Sequence, residues 1–218
     1  MSNNIKHGWH VLEGDNTLER AMKKERITEV SEYQKQQLDI SYKFCKQFRH
    51  AIDVGANYGI MSYNMARKFQ KVSAFEIVPE VLECFKLNAA KFNLSNVDIY
   101  NCGLGNKEET VSLHFNPGKT FSTHVDTSKP GNVKVNKLDY YNFTDVDFIK
   151  IDAEGFESFI IEGGMETIQK YKPVILYERK GHSQRYNKPN SIVLDILAPL
   201  GYKELAPIDR KNALIGVA

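Results

Sequence analysis

The sequence predicts an α/β fold built on a mostly parallel sheet with helices on its flanks, and three observations carry that prediction. Strand-like and helix-like segments alternate from Ala51 to Cys102. The alternation resumes from Asp147 to Glu178 after an irregular middle. A turn with two glycines, Asp53-Val54-Gly55-Ala56-Asn57-Tyr58-Gly59, lies where the first core strand gives way to a helix. Strand and helix repeated in this way imply parallel strands joined by right-handed crossovers.

Taken in order, residues 1–27 mix Gly, Asn and charged residues around isolated apolar ones such as Trp9, Val11 and Leu12, which suggests an irregular arm with one short helix. From Ile27 to Phe48, Val30, Tyr33, Leu38, Tyr42 and Cys45 recur at steps that fit one amphipathic helix. Arm and helix, residues 1–48, form a small N-terminal helical appendage, and residues 49–218 form the main domain. Its first strand is Ala51-Ile52-Asp53-Val54, followed by a helix from Ile60 to Phe69 and a strand from Val72 to Glu76. A helix from Pro79 to Phe92 comes next, its proline suited to a first helical turn, and then a strand from Val97 to Cys102. Val111-Ser112-Leu113-His114-Phe115 alternates as a half-exposed strand does, and Asn116 to Asn132 reads as a long loop of the kind that often carries function. A strand from Asp147 to Asp152, a helix through Ile168, a strand from Pro173 to Glu178 and a helix from Ser191 to Leu200 follow. Tyr202 to Leu205 and Ala213 to Val217 suggest a terminal hairpin.

A chain of 218 residues suits one well-buried α/β domain. With 29 Lys and Arg against 27 Asp and Glu, its net charge of +2 gives no global reason to expect nucleic acid or membrane as partner. Cys45, Cys84 and Cys102 lack metal-ligand spacing and leave one thiol over in any disulfide scheme, so free thiols in a reducing compartment are expected. The N-terminus shows no signal-peptide pattern, and no segment approaches the roughly 18 apolar residues of a membrane span. These features predict a cytoplasmic protein with no membrane partner.

Ligands of open parallel sheets bind beyond the carboxyl ends of the strands, where the strand order reverses. The turn from Asp53 through Gly55, Ala56, Asn57 and Tyr58 to Gly59 sits at such an end, and glycine there lets backbone approach a ligand. Its pattern is not the G-x-G-x-x-G of dinucleotide sites. A carboxylate before the first glycine opposes a pyrophosphate and suits the amino group or sulfonium of S-adenosylmethionine. Glu76, followed by Ile77, ends the second strand, where an acid can accept hydrogen bonds from both ribose hydroxyls. Asn101, Cys102 and Gly103, ending the third, are the natural neighbours of an adenine.

The stretches Ile52-Asp53-Val54-Gly55-Ala56-Asn57-Tyr58-Gly59, Ala74-Phe75-Glu76 and Lys150-Ile151-Asp152-Ala153-Glu154-Gly155-Phe156-Glu157 resemble the FkbM-type methyltransferases, over about Ala51 to Glu178. The resemblance implies a Rossmann-like, seven-stranded class I methyltransferase fold that uses S-adenosylmethionine, usually to O-methylate sugars or secondary metabolites. It also implies donor-binding roles for Asp53, Gly55, Gly59, Glu76 and Asp152.

Methyl transfer to an alcohol also requires that the hydroxyl lose its proton, which calls for a base or a metal. Asp152, Glu154 and Glu157 follow the fourth core strand. Asp152 is expected to hold the methionine moiety and Glu154 to contact the acceptor or act as base. Glu157 serves equally well as a favourable charge at a helix N-terminus. His124, in the long central loop, is the best placed of the candidate histidines, ahead of His114 and His182. Carboxylates can hold Mg²⁺, but no clear third ligand is visible and no metal is assigned.

The segment from Arg179 to Lys188 follows the fifth core strand and carries Arg179, Lys180, Arg185 and Lys188 beside Tyr186. Such a rim can grip phosphate, which keeps phosphorylated glycans, sugar nucleotides and RNA among the acceptors. The Asp152-Ala153-Glu154-Gly155 stretch lacks the Asn or Asp, two prolines and aromatic residue of amino-group methylases, favouring oxygen as the acceptor atom. The expected function is O-methylation of a hydroxyl on a sugar, glycan or small metabolite; the alternative is an RNA methyltransferase whose basic rim and N-terminal Lys23, Lys24 and Arg26 bind phosphate.

Overall fold

The computed structural model describes residues 3–217. The chain opens with a hairpin of β1 (Asn3–Lys6) and β2 (Trp9–Leu12), then α1 (Thr17–Glu25) and α2 (Lys35–Tyr42). The alternating core follows as β3 (His50–Val54), α3 (Ile60–Ala66), β4 (Lys71–Phe75), α4 (Pro79–Lys91) and β5 (Val97–Tyr100). Four short strands fill the middle: β6 (Gly103–Leu104), β7 (Glu109–His114), β8 (His124–Asp126) and β9 (Val133–Asn136). The chain ends with β10 (Val146–Ile151), α5 (Glu157–Glu162), α6 (Met165–Tyr171), β11 (Val174–Glu178), α7 (Ile192–Leu197), β12 (Tyr202–Ala206) and β13 (Asn212–Val217).

The main sheet has seven strands in the order β12-β13-β11-β10-β3-β4-β5, with β13 antiparallel to both neighbours and the rest parallel. Every residue of β3 and β11 is buried, as expected of strands covered on both faces. From β3 the chain first builds outward through β4 and β5, then returns to place β10 on the other side. The order therefore reverses between β3 and β10, and a crevice opens beyond Val54 and Ile151, which are paired at their carboxyl ends.

Several expectations are corrected. The single helix over residues 27–48 is broken into a 3-10 turn at Val30–Glu32 and the shorter α2. The Glu32 carboxylate accepts the Thr28 and Glu29 amides, and Gln34 adopts a left-handed φ of 50°, so the chain turns where periodicity alone continued it. The irregular arm contains a hairpin whose Trp9 packs on Tyr63 and Phe92. Val11, Leu12, Leu18 and Met22 join Tyr58, Ile60, Val78 and Val81 in one buried cluster. The helix expected to run through Ile168 divides at Gly163-Gly164, where Asp139 caps α6 by accepting from the Glu166 and Thr167 amides. The long loop after Phe115 holds a 3-10 turn at Thr120–Ser122 and β8, which pairs with β7. No described helix is long and apolar enough to cross a membrane.

Candidate active site

The crevice beyond β3 and β10 is a cleft with a floor of strand ends and a cover from elsewhere. Its floor comprises Gly55 to Tyr58, Glu76, Ile77, Cys102, Gly103, Asp152 and Glu154. Tyr33 and Gln34 reach it from the N-terminal segment, and Phe121, Thr123, His124 and Val125 from the 3-10 turn and β8. Most of the expected ligand-facing residues, distant in sequence, thus line one cavity.

The glycine turn is held by close packing. The Gly55 and Ala56 amides both donate to the Phe75 carbonyl, at 3.0 Å each, fastening the turn to the end of β4. Gly55 has φ 75°, and a Cβ there would stand 2.0 Å from the Asp152 carbonyl oxygen. Only glycine lets the ends of β3 and β10 approach this closely.

Asp53, Gly59 and Asn101 require correction, since none of them lines the cleft; Gly59 packs on the Phe85 ring, which a Cβ there would meet at 2.1 Å. Asp53 is fully buried and does not line the cleft; its Oδ2 accepts from Ser62 Oγ at 2.6 Å, and its Oδ1 faces Lys150 Nζ at 3.3 Å. The strand pleat turns it inward beneath the turn. Lys150, absent from the sequence-based site, lines the cleft and donates to the Gly55 carbonyl at 3.2 Å. Burial works against its charge, but Asp53 and Asp152 outweigh that penalty and hold its pKa above the ordinary lysine value. A lysine inside an apolar strand was the available signal. Asn101 is exposed, and its side chain donates to the Glu76 carbonyl, bracing the strand end.

Glu76 is buried at the cleft wall. Its Oε2 accepts the Asn57 amide at 2.7 Å and its Oε1 the Val78 amide at 2.8 Å. Burial pushes its pKa up to about 7 against the pull of those two amides. Tyr58 belongs to the scaffold: its hydroxyl donates to Asp15 Oδ2 at 2.5 Å, and Thr120 Oγ1 donates to the same oxygen at 2.6 Å. Asp15, unremarked in the sequence, ties the glycine turn to the covering segment.

At the other end of the cleft, Glu154 is buried with a left-handed φ of 52°. Its Oε2 lies 2.7 Å from His182 Nδ1 and 3.7 Å from Arg185 Nη1. Burial first, and the neighbouring Asp152 second, push its pKa up to about 7. Burial and the nearby Arg185 and Lys180 lower that of His182, favouring the neutral imidazole. Glu157 instead stitches the motif together, its Oε1 accepting the Ala153 and Gly155 amides at 3.1 and 3.0 Å. His124 lines the cleft with its ring stacked on His114 and its Nδ1 3.1 Å from the Ser122 carbonyl.

A search against known families and structures fits this geometry. Residues 53–204, well over half of the chain, match the model of the methyltransferase FkbM domain. The chain belongs to the FkbM methyltransferase family. Methyltransferase 1 of Beauveria bassiana (strain ARSEF 2860) is 26% identical over 141 residues, which span 51% of this chain and 57% of that protein. The chain therefore spans little more than half the length of this curated relative. Among solved structures, methyltransferase FkbM from Methylobacillus flagellatus KT superposes with TM-score 0.54 and 18% identity, covering 77% of this chain and 43% of that one. The putative methyltransferase SMU.1697c from Streptococcus mutans, in complex with SAH, gives TM-score 0.54 and 11% identity, covering 84% and 96%. Both share the Rossmann-like fold.

In this FkbM-family chain, the basic rim predicted after β11 is paired internally. Arg179 meets Glu204, Lys180 meets Glu178, Arg185 faces Glu154, and Lys188 lies 3.9 Å from Glu162. The fold also supplies the third group that a metal site lacked in the sequence, since Glu154, Glu178 and His182 each place a ligand atom within 4.8 Å of the others. The Lys180 ammonium lies against Glu178 Oε1 and 3.9 Å from Glu154 Oε1, however, so a cation of the protein's own already meets these carboxylates.

Proposed function

We propose that the chain is an S-adenosylmethionine-dependent O-methyltransferase acting on a hydroxyl of a sugar, glycan or small metabolite. The observation that carries this reading is Glu154, a buried carboxylate on the wall of the cleft whose pKa of about 7 suits a general base near neutral pH.

The cleft's donor half suits the cofactor. The turn from Gly55 to Tyr58 lines the cleft, Glu76 offers a buried carboxylate for ribose hydroxyls, and Ile77, Cys102 and Gly103 form a largely apolar wall for a base. Asp152 and Lys150 supply opposite charges for an ammonium and a carboxylate. When bound, S-adenosylmethionine supplies a methyl group already activated by the sulfonium. Glu154 would take the proton of the acceptor hydroxyl, and the positioning of donor and acceptor by the cleft would supply much of the remaining rate. Arg185 donates to the Glu154 backbone carbonyl at 2.7 Å, which fixes the residue at the cleft wall, and His124 lines the cleft from the covering segment as a second polar group for the acceptor.

The RNA alternative drew on the segment 179–188 and on Lys23, Lys24 and Arg26; the four cations of 179–188 face carboxylates, which weakens the part of that reading built on the rim. Donor-loss assays against neutral sugars, sugar phosphates and RNA test the proposal. Turnover with a hydroxyl acceptor, undiminished by a chelator, is expected; transfer confined to RNA, or to an amine, would overturn it.

A further inference from the structure

Beside the cleft lies a second, open groove between α1 and the loop before β13. Tyr33, Gln34, Phe121 and Lys180 line both cavities, so the two adjoin. The groove has a volume of about 630 Å³, within the range of small-molecule sites. Arg20 and Lys24, one turn apart on α1, face it from one side, and Arg210 and Lys211 from the other.

The charges in this groove are unevenly satisfied. Its three acids are occupied by neutral donors. Glu25 accepts the Gln34 amide, Glu32 the Thr28 and Glu29 amides, and Asp209 the Lys211 and Asn212 amides and the Gln37 side chain. Among the described residues, none of Arg20, Lys24, Arg210 and Lys211 forms an ion pair with a carboxylate. Lys24 stands against Lys211, and this like-charged neighbour holds the Lys211 ammonium below the ordinary lysine range. Glu25 and Asp209 attract these ammonium groups from a distance without forming an ion pair, so two ammonium groups brought together still leave a place for an anion. The Tyr33 and Phe121 rings, with centroids 5.7 Å apart, pack on each other at the boundary between groove and cleft.

We propose that this groove is the acceptor's anion subsite, and that the acceptor is a small hydroxyl compound carrying a phosphate or diphosphate ester. The anionic group rests among Arg20, Lys24, Arg210 and Lys211, while the hydroxyl-bearing part reaches past Phe121 to Glu154. This rests on the methyltransferase reading for the hydroxyl end, whereas anion binding in the groove is measurable without turnover. A phosphate grip was expected from the segment 179–188 and from Lys23, Lys24 and Arg26; of this last group the fold places Lys24 in the groove and joins it to Arg20, Arg210 and Lys211.

Calorimetry with inorganic pyrophosphate and the full chain, with and without S-adenosylhomocysteine, tests the subsite. One pyrophosphate per chain is expected to bind, at least tenfold more weakly in the double variant Lys24→Gln/Lys211→Gln, with recovery in Lys24→Arg/Lys211→Arg. The variant Lys23→Gln/Lys46→Gln makes the same change in net charge outside the groove and should bind like the native chain. Failure of the native chain to bind pyrophosphate, or equal weakening in both Gln variants, overturns the subsite. So does an RNA oligonucleotide that displaces pyrophosphate and loses affinity equally in both. Should S-adenosylhomocysteine fail to bind while pyrophosphate binds as described, the donor reading falls and the anion site stands. With acceptors, a sugar phosphate is expected to exceed its neutral sugar at least tenfold in kcat/KM; parity between them overturns the assignment to the acceptor.

Discussion

Asp53 and Lys150 face each other across 3.3 Å beneath the glycine turn, with both side chains almost wholly withdrawn from solvent. Removing one partner of a buried pair strands the other charge, at a cost of about 3–5 kcal/mol. Asp53 Oδ1 has no hydrogen bond to fall back on. Lys150→Met is therefore expected to lower unfolding free energy by that order in urea titrations and to weaken S-adenosylhomocysteine binding. A loss below about 1 kcal/mol would mean that the pair does not support the turn.

Gly55→Ala places a methyl group 2.0 Å from the Asp152 carbonyl at a φ of 75°. The ends of β3 and β10 must separate, so donor affinity should fall by more than an order of magnitude even where the chain still folds. Native affinity in a folded Gly55→Ala protein would contradict the close approach.

If Glu154 is the base, it must be ionised to accept a proton, so kcat should rise with pH through about pH 7 and then level. Glu154→Gln should lower kcat by roughly 10²–10⁴ and remove that ascending limb, while S-adenosylhomocysteine binds as before. An unchanged profile in the variant would assign the proton to another group.

Stability should run the other way with pH. Burial raises the carboxyl pKa values of Glu76, Glu154 and Glu157 to about 7 from the ordinary 4.5, and raises that of Glu178 as well. Between those values the folded chain holds more protons than the unfolded one, so stability falls as pH rises. The contribution is complete below about pH 4.5 and is lost as pH passes through about 7. Tm of the ligand-free protein is expected to drop between about pH 5 and about pH 8; a rise would show these acids to be ionised and well paired throughout.

Asp15→Ala removes the acceptor shared by Tyr58 and Thr120 and leaves two buried hydroxyls unsatisfied. A loss of roughly 2–3 kcal/mol is expected. Faster amide exchange should appear over residues 120–126, with little change in β10 and β11. Uniform acceleration across the sheet would point to global destabilisation instead.

The sequence by itself determined the parallel sheet, because β3, β10 and β11 are mostly apolar segments that alternate with helix-like ones. It also located the glycine turn, Glu76 and the 150–157 motif, since residues at strand ends are placed by local structure and by the rule of the reversing strand order. Local pattern could not reveal which way Asp53 points, because the same carboxylate fits a ligand or a buried lysine until β10 is laid beside β3. Nor could it show that the cations of 179–188 meet Glu154, Glu178, Glu162 and Glu204, or that Asp15 reaches Thr120 across 105 positions. Those pairings join segments with no sequence proximity. Only the packed tertiary structure decided them, because a charge is neutralised by whichever group folding brings within a few ångströms, not by its neighbours along the chain.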